Sequence, residues 1–429
     1  MMERYSEYKD SGVKWLGEIP SHWEVQRLGS FFSERKEKVS DQDYAPLSVT
    51  KQGIFPQLEN VAKTNDGDNR KLVKEGDFVI NSRSDRKGSS GVSELDGSVS
   101  LINLVLQPRK TIFGPFCNYL LKSYGFIEEN YRNGRGIVAD LWTTRYNEMK
   151  MIKVAMPSLE EQKTISSYLD TATSEIDKAI AMQQKMIDLL NERKQIIIQN
   201  AVTKGLDENV EMKESGVESI GRIPIGWKIK KLKYVMRSFG RIGFRGYGTK
   251  DIVDEGQGAI TLSPSNIQES SMDYSKRTYL SWNKYYESPE IMIENGDVLM
   301  VKTGSSYGKC AIVKNMPMEC TINPQLVVFK EHTEMPEYLA YCFQTSFAKF
   351  FINTSVIGGT IPTISQEKIN NYVFPFPMKS EQQQIVTYLD SEMEKFDSAI
   401  TNCQRQITLL QERKQIIINE VVTGKVRVL

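Results

Sequence analysis

Two stretches of the chain carry apolar residues at steps that alternate between four and three positions, with polar residues between them. This spacing is the heptad pattern of helices that pack along a narrow apolar seam. In the first stretch the apolar positions are Ile165, Leu169, Ala172, Ile176, Ala179, Met186, Leu190 and Ile197, with interruptions at Gln183 and Arg193. In the second they are Ile385, Leu389, Phe396, Ala399, Cys403, Leu410 and Ile417, with interruptions at Glu392, Gln406 and Arg413. Each stretch is therefore predicted to form one long helix.

Start and stop signals bound both predicted helices. Ser158 directly follows Pro157, and Ser380 lies three residues after Pro377. They begin Ser-x-x-Glu and Ser-x-x-Gln sequences, which cap helix N-termini. Gly205 and Gly424 follow the last apolar turns, and glycine is common just past a helix C-terminus. About 45 residues of helix would extend for roughly 65 Å.

The two helical stretches are copies of one another. Residues 161–203 and 381–423 align without a gap and are identical at 22 of 43 positions. A shorter pair precedes them, since "SGVKWLGEIPSHW" at 11–23 corresponds to "SGVESIGRIPIGW" at 215–227. The chain is therefore an internal duplication in which a short motif, a variable region and a long motif occur twice.

The duplication predicts an arrangement for the whole chain. Each apolar stripe could pack on a globular core, but two matching stripes of equal length also suit each other as partners. An antiparallel pair would bring the end of the first helix near the start of the second, so the region between them could be compact. We expect two heads, residues 23–156 and 227–376, joined by an antiparallel coiled coil with pseudo-two-fold symmetry.

The heads share a skeleton despite their different sequences. "KEGDFVINSR" at 74–83 corresponds to "IENGDVLMVK" at 293–302, and each reads as a tight turn leading into a strand. A second apolar strand follows in each head, which predicts α/β (α+β) heads with a substantial sheet. One scaffold with two sets of loops suits the recognition of two unlike targets. Neutral divergence after duplication would also give such a difference.

Composition narrows the class of protein. The 429 residues are 40% hydrophobic and 25% charged, and the formal net charge is +1. No apolar run approaches the length of a membrane span, and the polar start lacks a signal-peptide core. A cytoplasmic protein is expected. Five scattered cysteines and two histidines do not have the spacing of a zinc site, so no metal site is expected.

Basic residues collect in polar, glycine-rich stretches of both heads. Arginine and lysine neutralise phosphate, arginine can bind guanine through two hydrogen bonds, and glycine lets backbone N–H groups approach phosphate. Solvated loops are often basic as well, so each stretch alone is a weak signal. The candidate DNA-binding residues here are Arg83, Arg86, Lys87, Arg132, Arg135, Arg241, Arg245, Lys250, Lys302, Thr303, Ser305, Ser306, Tyr307 and Lys309.

Residue patterns that would indicate catalysis are missing. Adenine methyltransferases share an Asn-Pro-Pro-aromatic tetrapeptide, whereas "NPQL" at 323–326 lacks the second proline and the aromatic residue. The glycine-rich "FGRIGFRGYG" does not fit a dinucleotide site, and "EMK" at 148 and 211 is too short to identify a nuclease. No catalytic residue is expected. A self-contained endonuclease with two DNA-reading heads and a coiled-coil scaffold without a DNA role remain alternatives.

The repeated motifs resemble a known family. "YKDSGVKWLGEIPSHWEVQRLG" and "PSLEEQKTISSYLD…IDLLNERKQIIIQNAVTKGLD", with their second copies, are similar to the specificity subunit of type I restriction–modification systems. "GGTIPTISQEKINNYVFPFPMKSEQ" at 358–382 resembles the closing stretch of that family's target-recognition domains, which adds Thr360 to the DNA-binding candidates. The first head departs from this pattern with "GRGIVADLWTTRYNEMKMIKVAMP".

The resemblance implies a non-catalytic subunit in which each head reads one half of a split double-stranded DNA sequence. The helices would set the gap between the halves and dock two methylation subunits, and two restriction subunits would complete the complex. S-adenosylmethionine, ATP and Mg²⁺ would bind the partner subunits. The candidate partner-binding residues are Glu192, Arg193, Lys194, Glu412, Arg413 and Lys414.

Four consecutive parts follow from this interpretation. Residues 1–156 would form the first target-recognition domain with its short motif, and residues 157–205 the first helix. Residues 206–376 would form the second domain, and residues 377–429 the second helix with a tail.

Overall fold

The computed structural model describes residues 3–57, 67–136, 142–268, 270–359 and 361–428. Contacts within the chain define two compact units. Unit 1 comprises residues 1–184 and 404–429, and unit 2 comprises residues 185–403. Each unit therefore combines one head with part of each long helix. No helix among the described residues is long and apolar enough to cross a membrane.

Unit 1 has an antiparallel β-sheet framework with short helices. Its main sheet has the strand order β10-β9-β12-β4, and a three-stranded sheet has the order β11-β8-β5. Its elements are β1 (Tyr8–Asp10), β2 (Glu18–Pro20), β3 (Glu24–Arg27), β4 (Phe32–Glu34), β5 (Lys38–Val39), β6 (Leu47–Val49), β7 (Ile54–Pro56), β8 (Arg70–Val73), β9 (Phe78–Asn81), β10 (Ser90–Val92), β11 (Gly97–Val99), β12 (Asn103–Pro108), α1 (Gly114–Leu121), α2 (Tyr124–Arg132), α3 (Tyr146–Met149), β13 (Lys153–Met156) and the first part of α4 (Leu159–Lys204).

Unit 2 repeats this plan. Its four-stranded sheet has the order β17-β27-β24-β25, and its five-stranded sheet has the order β18-β22-β19-β26-β23, with β19 and β26 parallel. Its elements are the rest of α4, β14 (Met212–Glu214), β15 (Arg222–Pro224), β16 (Lys228–Lys231), β17 (Arg237–Phe239), β18 (Ile252–Val253), β19 (Gly258–Leu262), β20 (Ile267–Gln268), β21 (Ser271–Met272), β22 (Tyr279–Ser281), α5 (Trp282–Tyr286), β23 (Met292–Ile293), β24 (Val298–Val301), β25 (Cys310–Ile312), β26 (Cys320–Ile322), β27 (Leu326–Lys330), α6 (Pro336–Cys342), α7 (Ser346–Ser355), α8 (Gln366–Asn370), β28 (Val373–Phe376) and the first part of α9 (Lys379–Val422).

In each head, the strand at which the chain enters pairs with the strand at which it leaves. In unit 1, β3 pairs antiparallel with β13, with Glu24 opposite Met156. In unit 2, β16 pairs antiparallel with β28, with Lys228 opposite Phe376. The predicted turn-to-strand segments form β9 and β24, which are central strands of the two four-stranded sheets. The predicted α+β heads are confirmed, and their sheets are largely antiparallel.

The two long helices pair antiparallel, as predicted. In unit 1, the first half of α4 and the last part of α9 share one core, which includes Leu169 and Val421. In unit 2, the last part of α4 and the first half of α9 share another, which includes Ile198 and Leu389. Low-numbered residues of one helix thus meet high-numbered residues of the other in both units. The predicted coiled coil is confirmed.

The middle of α4 departs from the predicted seam. Met186 is 49% exposed, whereas its neighbour Ile187 is 7% exposed. An α-helix has 3.6 residues per turn, so a seam assigned at 3.5 drifts around the helix over several turns. The assignment of Met186 to the seam was therefore wrong by one position.

The predicted N-terminal caps have different outcomes. The Ser158 hydroxyl accepts a hydrogen bond from the Glu161 backbone N–H at 3.2 Å, which confirms the first cap. The second was misplaced, because α9 begins at Lys379 and the position equivalent to Ser158 is Met378. Gly205 and Gly424 follow the helix ends with φ of 77° and 73°, as expected for C-terminal glycines.

Residues that occur in both long motifs hold each head to its helix. The Trp23 indole donates to Glu161 Oε1 at 3.0 Å in unit 1, and Trp227 donates to Glu381 Oε1 at 3.0 Å in unit 2. In a second equivalent pair of hydrogen bonds, the Tyr119 hydroxyl donates to Asp170 at 2.7 Å and the Tyr341 hydroxyl donates to Asp390 at 2.6 Å. These two identical pairs of the long motifs thus serve packing within each unit.

Candidate nucleic-acid interface

The loop that follows β9 in unit 1 is tied to the closing part of the same head. Arg83 and Arg135 both form β-bridges with Thr143. The Arg135 N–H donates to the Thr143 carbonyl at 2.9 Å, and the Thr143 N–H donates back at 2.9 Å. The Thr144 N–H donates to the Ser82 carbonyl at 3.0 Å. These bonds join the loop after β9 to residues about 50 to 60 positions later in the chain, on both sides of the closing segment.

Unit 2 has the same arrangement after β24. Thr303 and Ile357 both form β-bridges with Thr363, and the Ile357 N–H donates to the Thr363 carbonyl at 2.8 Å. The Ile364 N–H donates to the Lys302 carbonyl at 2.8 Å. Lys302, Thr303, Thr363 and Ile364 each lie 220 positions after their counterparts in unit 1. We call this shared backbone arrangement the loop bridge.

The loop bridges carry different side chains on equivalent backbones. Arg83 and Arg135 are exposed in unit 1, while Ile357 is exposed and Thr303 is half-buried in unit 2. Arginine offers charged hydrogen-bond donors, whereas threonine and isoleucine offer a hydroxyl and apolar contacts. The two units therefore present unlike chemistry at corresponding positions.

Ion pairs engage most of the other candidate residues in unit 1. Lys87 binds Glu128 at 2.7 Å and lies over the Tyr131 ring at 4.4 Å. Arg132 binds Glu129 at 2.7 Å. Arg86 and Arg135 make longer contacts, at 3.7 Å to Asp85 and 3.5 Å to Glu148, and their side chains stay largely exposed. Arg83, Arg86 and Arg135 are thus the candidates best placed to meet DNA.

Arg241 has an internal role in unit 2. It is only 6% exposed, and its guanidinium donates to the Ile322 carbonyl and the Thr321 hydroxyl, both at 3.0 Å. It lies over the Tyr247 ring at 5.2 Å, and burial lowers the pKa of the guanidinium. This residue fixes the loop from inside, so the prediction that it contacts a base has no support from its position.

The remaining candidates in unit 2 differ in accessibility. Arg245 binds Glu290 at 3.2 Å, and Lys250 is exposed. Ser305 and Lys309 are exposed, Ser306 is half-buried, and the half-buried Tyr307 donates its hydroxyl hydrogen bond to Asn353 at 3.3 Å. Thr360 lies outside the described residues.

Lys302 is a half-buried lysine at the unit 2 loop bridge. Its ammonium lies 3.1 Å from where a Cβ on Gly240 would stand, so the glycine leaves room for it. Burial lowers the pKa of Lys302. Its ammonium has no hydrogen-bond or ion-pair partner within residues 3–57, 67–136, 142–268, 270–359 and 361–428. An approaching phosphate would supply the missing counter-charge.

This geometry predicts a pH dependence of DNA binding by the assembled complex. Lysine is charged below its pKa, and a lowered pKa means that the charge is lost earlier as pH rises. Affinity should therefore begin to fall, as pH rises, before a lysine of ordinary pKa would lose its charge, whereas Lys302→Arg should stay charged and flatten that fall. Fluorescence anisotropy from neutral to alkaline pH measures the DNA affinity of both proteins. Parallel curves for the two would rule out a phosphate contact by Lys302.

Comparison with known proteins gives one consistent family. The sequence model described as "Type I restriction modification DNA specificity domain" matches residues 247–411. The type I restriction enzyme MjaVIII specificity subunit of Methanocaldococcus jannaschii is 25% identical over 98% of this chain and 97% of its own. These matches support a specificity subunit of a type I restriction–modification system.

Further relatives and solved structures agree with this assignment. The EcoKI specificity subunit of Escherichia coli K12 is 22% identical over 75% of this chain and 67% of its own. A chain from a structure of "complex assembly and conformational transition of the type I R-M system" matches with a TM-score of 0.70 at 15% identity, covering 94% of this chain and 98% of that one. The HsdS subunit from Thermoanaerobacter tengcongensis matches with a TM-score of 0.50 at 17% identity, covering 95% and 98%.

The candidate partner-binding residues of this specificity subunit divide into two groups. Lys194 binds Asp397 at 2.5 Å inside unit 2, and Lys414 binds Asp177 at 2.7 Å inside unit 1. The two lysines thus join the paired helices. The other candidates remain exposed and are Glu192, Arg193, Glu412 and Arg413.

Sequence reasoning missed an apolar face beside these charged residues. Leu189 and Ile196 are 49% and 51% exposed, and with Glu192 and Arg193 they occupy positions i, i+3, i+4 and i+7 of one helix face. The second copy repeats the face with Leu409 and Ile416 exposed. We call these the α4 face and the α9 face. The sequence signal for these faces is that their residues are identical at an offset of 220 positions. The heptad pattern did not indicate them, because it includes only the residues of the seam.

Proposed function

We propose that this specificity subunit reads a split DNA sequence, with each head reading one part. The observation that carries the proposal is the loop bridge, which has the same backbone arrangement in both units but different side chains. A shared backbone arrangement with unlike side chains can present two different patterns of hydrogen-bond donors and apolar groups to base edges. Two equivalent frames thus suit two unlike half-sites.

The chemistry of each loop bridge favours a different kind of contact. Arg83 and Arg135 in unit 1 can bind guanine through two hydrogen bonds or neutralise phosphate. Ile357 in unit 2 can contact the thymine methyl group, while Thr303 can form a hydrogen bond to a base or phosphate. Lys302 adds a positive charge beside them. The length of α4 and α9 would set the number of unread base pairs between the two parts.

The catalytic steps belong to partner subunits in this proposal. The relatives found are specificity subunits, and nothing in the comparisons favours a self-contained endonuclease. Within the described ranges, no cluster of three or more His, Cys, Asp or Glu side chains is arranged to hold a metal ion. We propose that S-adenosylmethionine binds the methylation subunits and that ATP and Mg²⁺ bind the restriction subunits.

Two methylation subunits would dock on the α4 face and the α9 face. The faces repeat the same two apolar residues flanking the same Glu-Arg pair, so they can bind two copies of one protein. Exposed apolar residues beside charged residues are typical of protein-binding surfaces. Two restriction subunits would then join this complex.

A pair of variants tests the docking proposal. Ile196→Asp places a charge in the α4 face and Ile416→Asp places one in the α9 face, and desolvating that carboxylate opposes binding. Each single variant should retain one methylation subunit, and the double variant should retain none at concentrations that saturate the unaltered chain. Native mass spectrometry gives the stoichiometry directly.

The exposed Thr171 supplies the control for these variants. Thr171→Asp introduces the same charge on α4 away from the α4 face and should keep both methylation subunits. Full stoichiometry in the double variant would place the docking surfaces elsewhere.

A further inference from the structure

A groove lies at the C-terminal end of α4 in unit 2. It has a volume of about 940 Å³ and is formed by the last turns of α4, the loop that follows it and the β14–β15 pair. Its walls include the apolar parts of Ile197, Leu206, Val210, Ile220 and Tyr388. The groove thus places apolar side chains beside the C-terminal end of a long helix.

Unit 1 shows what covers the equivalent surface there. Gly424 corresponds to Gly205, since both end a long helix beside a repeated proline and tryptophan. In unit 1 the residues after Gly424 fold back, and Val426 and Val428 pack on the same core as Tyr5. The Tyr8 hydroxyl donates to the Lys425 carbonyl at 3.0 Å. The chain's own terminal segments therefore occupy this position in unit 1.

The equivalent residues Glu161 and Glu381 differ between the units in the same way. In unit 1, Glu161 accepts hydrogen bonds from the Tyr5 hydroxyl at 2.7 Å and the Trp23 indole at 3.0 Å, and its other oxygen contacts His22 at 3.1 Å. In unit 2, the Glu381 carboxylate has only the Trp227 indole as a partner among the described residues. Hydrogen-bonding capacity that unit 1 satisfies internally is thus left available in unit 2.

Charge indicates the kind of segment that fits the groove. The covering segment of unit 1 is basic, with Lys425 and Arg427. The groove of unit 2 is lined by the exposed acidic residues Asp207 and Glu208. Its lining arginine, Arg222, already contacts Glu214 at 3.7 Å and donates to the Met212 carbonyl, so one lining lysine is the main opposing charge. This balance favours a basic peptide over a nucleic acid.

The groove also continues the α4 face. Asn200 lines the groove one helical turn after Ile196, which belongs to that face. A methylation subunit bound to the α4 face would therefore reach the groove without a long connection. Because the groove and the α4 face are continuous, the partner nearest to the groove is the methylation subunit bound at the α4 face.

We propose that the groove receives an extended segment of the methylation subunit bound at the α4 face. The segment carries β-branched residues for the apolar walls, a basic residue for Asp207 and Glu208, and a hydroxyl donor for Glu381, whose Oε1 lies 3.2 Å from where a Cβ on the lining residue Gly205 would stand. The covering segments of unit 1 provide each of these groups. This inference rests on the proposed docking of methylation subunits and adds a second contact at one of the two faces.

Filling the groove tests the inference. Asn200→Trp places an indole in the groove and should weaken binding of the methylation subunit at the α4 face at least tenfold. Thr171→Trp, at an exposed position of α4 away from both the α4 face and the groove lining, should leave the affinity unchanged. Thermal denaturation of both variants should match the unaltered chain, because both original side chains are exposed. Titration in the Ile416→Asp background isolates the α4 face.

Crosslinking identifies the occupant. A photoreactive benzophenone side chain at Leu206 should crosslink to one segment of the methylation subunit in the complete complex. A crosslink to DNA, to a second copy of this chain, or to no partner would overturn the inference, as would unchanged affinity of Asn200→Trp. An unaltered chain that binds no methylation subunit would instead refute the proposed function, and the inference with it.

Discussion

Exchanging residues 227–376 for the equivalent head of another specificity subunit is expected to change one half of the recognised DNA sequence and preserve the other. The physical reason is that this segment closes on itself. Lys228 and Phe376 face each other in the β16–β28 pair, so the head enters and leaves its scaffold at adjacent points. Its sheets and its loop bridge lie entirely between those points. The graft therefore carries a complete recognition surface.

Sequencing of methylated DNA from cells carrying the chimera and its methylation subunits measures this effect. The reciprocal exchange of residues 23–156, which closes on the β3–β13 pair, should change the other half and serves as the matched control. A chimera that alters both halves, or neither, would show that the heads do not read DNA independently.

A fragment of residues 1–208 is expected to form a symmetric homodimer. In unit 1, α4 packs against a patch of α9 that includes Ile418, Val421 and Val422. The fragment's own α4 offers Ile198, Ala201 and Val202 at the equivalent positions. Two copies can therefore replace α9 with each other's α4, and the smaller alanine loses about 0.8 kcal/mol for each missing buried methyl group. The self-pairing should be weaker than the natural pairing but should persist.

Sedimentation shows the dimer, and methylation mapping shows its target. With methylation subunits the homodimer should recognise an inverted repeat of one half-site, because a two-fold symmetric reader binds a two-fold symmetric sequence. Ile198→Asp buries a carboxylate at the shared position and should leave the fragment monomeric. An unaltered fragment that sediments as a monomer would contradict the proposed equivalence of the helices.

The sequence was most informative where structure depends on local periodicity and on the duplication. Heptad spacing located both long helices, and the glycines marked their ends. It misassigned Met186 because a fixed period cannot follow the slow drift of the buried stripe around a helix. It also misplaced the second cap by matching Ser380 to a motif instead of aligning it with Ser158.

The candidate interface was less predictable because it depends on contacts between distant residues. Basic composition marked the loops, but it could not show that Arg241 is buried or that Lys87 binds Glu128. The loop bridge joins residues such as Thr303 and Thr363, and this pairing leaves no local pattern. The offset of 220 was visible in the sequence, but its meaning required the hydrogen bonds.

The most direct test of reading by two separate heads is a map of methylated positions in DNA exposed to this chain with its methylation subunits. Such reading predicts one split sequence, with two defined parts separated by a fixed number of undefined base pairs. Paired substitutions at the loop bridges, Arg83→Ala and Thr303→Ala, should each relax preference within one part only, at about 1–3 kcal/mol per affected base contact. A single continuous sequence, or one part that responds to both substitutions, would contradict reading by two separate heads.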